Sequence, residues 1–108
     1  MILPNSSLVI SKYRKSSFRE ILSDLKEWYS KFYGSSPFVR VVDEPPNVID
    51  VRGTNNADIY VQDGDGVTLV ISSVDNLVRG AAGQAVQCLN LGFGFPETTG
   101  LRLPALIP

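Results

Sequence analysis

The run Val74-Asp75-Asn76-Leu77-Val78-Arg79-Gly80-Ala81-Ala82-Gly83-Gln84-Ala85-Val86-Gln87 places polar side chains and two glycines where an apolar strand gives way to a helix. Glycine lets the backbone pass close to another group, because no Cβ stands in the way. A helix N-terminus at the same point adds unpaired amide donors and the positive end of a dipole. Open α/β sheets tend to bind ligands at such junctions, so the arrangement suits a cofactor or an anion. A capped helix whose small residues pack tightly on a sheet has the same pattern, and spacing alone does not separate the two.

Other groups with chemical potential are weaker. The chain has no histidine, which removes the commonest general base and metal ligand. Cys88 falls inside the apolar closing helix, where a free cysteine is expected to be a small buried hydrophobe. Asp43 and Glu44 form a carboxylate pair next to Pro45-Pro46. A proline-rich loop offers no apolar shield to raise a pKa, so solvation is expected. Asp63-Gly64-Asp65-Gly66 reads as a tight hairpin connection; it is too short for a calcium loop and lacks the distal bidentate Glu. No Gly-x-Gly-x-x-Gly follows an amino-terminal strand. These residues assign neither a catalytic group nor a metal site.

Composition bounds the partners. The 108 residues carry a formal net charge of −1, and the basic side chains are scattered through Lys12, Arg14, Lys15, Arg19, Lys26 and Lys31. No basic stripe suited to nucleic acid results. Apolar stretches are too short to cross a bilayer, and no signal-peptide pattern follows Met1. One domain spanning residues 1–108, with a modest core and a cytoplasmic location, is the expectation. A lone cysteine cannot form an internal disulfide.

The elements that must position the junction follow from periodicity. Ser7 to Tyr13 reads as a strand. Ser17 and Glu20 make a capping box. Phe18, Ile21, Leu22, Leu25, Trp28, Tyr29 and Phe32 recur at helical spacing, with Trp28 as a packing anchor and Gly34 as the stop. Phe38 to Val42 is a short strand, and Val48 to Val51 a further short strand. Ile59 and Val61 alternate with polar residues, and Val67 to Val74 is the most apolar and central strand. Asp75 caps the closing helix, in which Ala81, Ala82, Ala85, Val86 and Leu89 face the sheet; Gly92 and Gly94 end it. The order β-α-β-β-β-α predicts an α+β fold, with two helices on one face of a mostly antiparallel or mixed sheet. The other face lacks a covering layer, which implies a partner.

The junction, followed by Leu89-Asn90-Leu91-Gly92-Phe93-Gly94-Phe95-Pro96-Glu97-Thr98-Thr99-Gly100-Leu101, resembles the carboxy-terminal signature of the N-acetyl-gamma-glutamyl-phosphate reductases. These are NADPH-dependent enzymes of arginine biosynthesis. Val51-Arg52-Gly53-Thr54-Asn55 and Pro37-Phe38-Val39-Arg40-Val41 resemble two further blocks of that family, so the likeness covers roughly residues 16–101. It implies NADP as cofactor, with Asn76 on the nicotinamide carboxamide, Leu77 beside it and Gly80 admitting the backbone close to the ring. Thr54 and Asn55 would edge the substrate pocket. Asn56-Ala57 departs from the aromatic and cysteine that often follow that Asn in the family. The family's Rossmann domain, cysteine nucleophile and histidine have no counterpart here, so the resemblance implies a carboxy-terminal part that is inactive alone. The partner is then the missing amino-terminal domain, or a homo-oligomer formed through the bare sheet face. The ending implies that Pro108 is the true carboxy-terminus, with a plastid location if the source is a plant or alga. Two other readings stay open: a stand-alone interaction or small-ligand-binding domain without catalysis, and a truncated gene model.

Overall fold

The computed structural model describes residues 6–14, 25–64 and 67–104. Strand β1 (Ser6–Arg14) precedes helix α1 (Leu25–Tyr33), strand β2 (Val39–Val42) and the short helix α2 (Val48–Val51). Then come β3 (Ala57–Gly64), β4 (Val67–Asp75), a wide turn over Val78–Ala82 and helix α3 (Gly83–Phe93). The strands form one sheet in the order β1-β4-β3-β2. β4 lies antiparallel to both neighbours, and β2 runs parallel to β3. The fold is α+β with a mixed sheet, as the sequence predicts, and β4 is central. Ser17 and Glu20 lie outside the described residues.

The burial of β4 changes phase along its length. Thr68 and Val70 are buried at one end, Ser73 and Asp75 at the other. Successive strand residues face opposite sides, so the two ends bury opposite faces of the sheet. On the first face, Val61 pairs with Val70, and these with Ile59 form a core against Leu25, Tyr29 and Tyr33 of α1 and against Val39. On the second face, among the described residues, α2 packs against β4 and β1. Tyr60 and its cross-strand partner Ile71, together with Leu69, remain half-buried there.

Three local expectations are corrected. Val48–Val51 is a helical turn and not a strand, because Asn47 caps it: the Asn47 side chain accepts from the Ile49 amide at 3.0 Å. Trp28 is no packing anchor. α1 turns the row Leu25, Tyr29, Tyr33 toward the sheet, leaving Trp28 57% and Phe32 76% exposed on its flank. The apolar residues of α3 do not lie on the sheet either. Ala81, Ala82, Ala85, Val86 and Leu89 are exposed, and the helix buries only Gly83 and Asn90. Cys88 is exposed with them. Gly94, at φ 73°, ends α3 in the left-handed conformation that glycine tolerates best. The following tail buries Leu101, which shares a cleft with Pro37, Phe38 and Asn56.

Candidate site at the strand-to-helix junction

Asp75, at the end of β4, is 4% exposed and uses both carboxylate oxygens. Oδ1 accepts from the amides of Leu77 (2.9 Å) and Val78 (3.1 Å), so Asp75 closes the turn that leads out of β4. Contrary to the expectation from sequence, it does not cap the closing helix, because α3 begins only at Gly83 and has no side-chain cap. Oδ2 accepts from the Gly53 amide at 2.7 Å. Gly53 has φ 74°, and this left-handed turn after α2 brings its N–H to Asp75. One side chain therefore ties the start of the junction to the turn ahead of β3.

The chain then takes a wide turn. The amides of Ala82 and Gly83 donate to carbonyls five residues back, on Leu77 (3.1 Å) and Val78. Such π turns are rare and recur at functional sites. Gly83 is the close-approach glycine. A Cβ there would collide with Asn55 Oδ1 and stand 2.6 Å from the Val78 carbonyl oxygen. One turn further on, Gln87 Oε1 accepts from Asn55 Nδ2 at 3.0 Å and from the Arg79 guanidinium. Gln87 Nε2 donates to Glu97 Oε1 at 2.7 Å. Asn90 Nδ2 donates to the carbonyls of Glu97 (3.1 Å) and Thr99 (3.0 Å), fastening the tail.

Asn76, Leu77 and Gly80 share the outer edge of this junction. All three are exposed, Leu77 by 54%. A Cβ on Gly80 would lie 3.2 Å from Asn76 Oδ1, so the carboxamide sits beside bare backbone. Gly80 is thus not a site of helix packing. Thr54 and Asn55 lie on the inner side. Thr54 Oγ1 donates to the Val51 carbonyl (2.7 Å) and accepts from the Asn56 amide (3.1 Å), while the Asn55 amide bonds Gln87; both residues are almost fully buried.

Sequence reasoning missed the face that holds α3. Gly83, Gln87 and Asn90 recur at four- and three-residue steps, a helical stripe that periodicity could have found. It escaped because it is polar. A second omission is Arg40, whose Nε and second guanidinium nitrogen donate to the two oxygens of buried Asp58 at 2.6 and 2.9 Å. Among the solvated carboxylates, Asp43 pairs with Lys26. The hydrogen bond and charge of that ammonium hold the Asp43 carboxyl below the ordinary aspartate value.

Known proteins place this architecture. The chain is 48% identical over 88 residues to an N-acetyl-gamma-glutamyl-phosphate reductase of Methanopyrus kandleri, covering 79% of this chain and 26% of that protein. It is 48% identical over 85 residues to that of Archaeoglobus fulgidus, covering 79% of this chain and 25% of the relative. With the Geobacter metallireducens reductase the identity is 43% over 100 residues, 89% of this chain and 29% of the relative. The chain thus spans about a quarter of the length of the relatives it matches. The semialdehyde dehydrogenase dimerisation domain matches residues 8–76, which take in all of the sheet but Ser6 and Ser7 of β1 and stop at the first residue of the junction's outer edge. By that match, this chain belongs to the semialdehyde dehydrogenase dimerisation domain family.

Proposed function

We propose that this chain acts as the carboxy-terminal part of an NADPH-dependent N-acetyl-gamma-glutamyl-phosphate reductase. In this role the sheet builds the subunit interface and the junction after β4 borders the nicotinamide. The observation that carries the reading is the outer edge of the junction: Asn76, Leu77 and Gly80 are exposed together, on a backbone pinned from within by buried Asp75 and Asn55. A carboxamide next to a glycine without a Cβ fits a flat ring bearing an amide of its own. When bound, NADPH supplies the hydride that reduces an acyl group to an aldehyde. Asn76 would orient the nicotinamide amide, Leu77 would exclude water beside it, and Gly80 would leave room for the ring. The acyl phosphate, the cysteine that receives its acyl group and the base belong to the remainder of the reductase.

Two surfaces support an assembly. The half-buried Tyr60, Leu69 and Ile71 lie on the sheet face opposite α1, within the matched dimerisation domain. A second copy of the chain would cover them. Val86, Leu89 and Phe93 are exposed along α3, beyond that domain, where the rest of the reductase would dock. Cytoplasmic residence accords with this biosynthetic role; no helix among the described residues is long and apolar enough to cross a membrane.

The test places residues 1–108 at the carboxy-terminal end of a complete reductase. Asn76→Ala is expected to impair hydride transfer with the melting temperature unchanged, since one hydrogen bond to a bound ligand contributes on the order of 1 kcal/mol. Gly80→Val is expected to raise the Michaelis constant for NADPH by displacing Asn76 and filling the space beside it. If Asn76→Ala turns over like the parent at both saturating and limiting NADPH, the cofactor role of this edge is wrong.

A further inference from the structure

The wide turn and Gln87 are connected in a way that the cofactor reading does not require. Two successive hydrogen bonds of the turn skip five residues, from Ala82 to Leu77 and from Gly83 to Val78. An ordinary helix would use carbonyls four residues back. The wide turn therefore carries one extra residue, and closing it would rotate everything on one side by about 100° relative to the other. Such a turn is disfavoured on its own, so something must hold it open.

Gln87 spans it. Arg79 lies within the wide turn and Gln87 lies on α3, eight residues on, and the guanidinium donates directly to Gln87 Oε1. The same oxygen accepts from Asn55, which is fixed in the buried turn ahead of β3, and Gln87 Nε2 is occupied by Glu97. The amide is thus oriented from two sides before it meets Arg79. Arg79 is in turn a neighbour of Gly80 in the chain, so its position sets that of the exposed edge.

We propose that Gln87 is a positioning residue. Its bond to Arg79 straps the wide turn in its five-residue register, and so fixes where Asn76 and Gly80 stand. The effect of the strap on cofactor binding rests on the reading given above; the strap itself does not.

Hydrogen-bond couplings in the isotope-labelled 108-residue chain test the strap directly. In the parent, the Gly83 amide nitrogen should couple to the Val78 carbonyl carbon. Gln87→Ala should move that coupling to Arg79. Arg79→Met, which leaves the Asn55–Gln87 bond intact, should do the same and decides the matter if Gln87→Ala does not fold. Gln87→Glu combined with Glu97→Gln exchanges donor and acceptor while preserving every bond to residue 87, and should restore the Val78 coupling. Coupling to Val78 that persists in a folded single variant overturns the strap. In a complete reductase carrying this segment, Gln87→Ala should raise the Michaelis constant for NADPH about tenfold, the scale of one lost ligand hydrogen bond, with the exchanged pair returning it. A register that moves while that constant stays put upholds the strap and removes the cofactor role of the edge.

Discussion

Asn55 and Gly83, 28 positions apart, meet so closely that the amide oxygen of one occupies the space where the other would carry a Cβ. The contact joins the turn ahead of β3 to the start of α3, and the Val78 carbonyl closes it from the helix side at 2.6 Å from the same point. Gly83→Ala should therefore force backbone to move, at a cost of about 1–3 kcal/mol, the range of overpacked sites. Thermal unfolding should show a lower midpoint by roughly 4–8 °C per kcal/mol for a chain of this size. Gly92, around which a Cβ would meet nothing within 4 Å, is the control. Its Ala variant should melt at or slightly above the parent temperature.

Asp75 serves three amides, on Gly53, Leu77 and Val78. Asp75→Ala removes the acceptor of the turn amides and strands a part-buried donor, which together should cost about 2–3 kcal/mol. Asp75→Asn offers one acceptor oxygen in place of two, so either the turn contacts or the Gly53 contact survives. Urea unfolding should rank the stabilities parent, Asn variant, Ala variant. Equal stability of the two variants would mean that whichever contact the Asn variant keeps contributes nothing.

Arg40 is half-exposed, but its partner Asp58 is buried. Removing the guanidinium leaves a carboxylate without its countercharge in a poorly solvated place. Arg40→Ala should cost about 2–4 kcal/mol, the lower part reflecting solvent around Arg40. Arg40→Lys cannot reproduce the two parallel bonds and should recover only part of the loss. Denaturant midpoints of the two variants measure this.

Lys26 depresses the pKa of Asp43 by a hydrogen bond and by its charge. The folded value then lies below the unfolded one. The associated stabilisation is fully present above the ordinary aspartate range and is lost as pH falls through the lower, folded value. Both groups are on the surface, so the effect should be small and should fade in high salt. Carboxyl-carbon NMR should place the Asp43 midpoint below the ordinary value in the parent and return it upward in Lys26→Ala.

The chain by itself should show no turnover of an acyl phosphate with NADPH. It has no histidine, and its one cysteine stands on the exposed surface of α3. Cys88 should react with iodoacetamide in the native chain as a solvent-facing thiol, without prior unfolding. NADPH oxidation that Cys88→Ser abolishes would identify a catalytic thiol and overturn this expectation.

The amino-acid order by itself determined the class of fold, the central place of β4 and the family resemblance. These are consequences of short-range rules. Strand residues alternate, an aspartate accepts from the next amides, and Gly94 takes a positive φ where a helix stops. Tertiary structure alone decided which apolar faces are covered. Periodicity marks a stripe on α1 and another on α3, but only α1 finds a sheet to cover, and then with Leu25, Tyr29 and Tyr33 and not with Trp28. Val86 and Leu89 stay outside, because α3 is fastened through Gly83, Gln87 and Asn90. Nor could local pattern show that Asn55 would meet Gly83 and Gln87, or that Arg40 would fork onto Asp58. Those pairs lie far apart in the chain, and their geometry exists only once the sheet has set the strands in register.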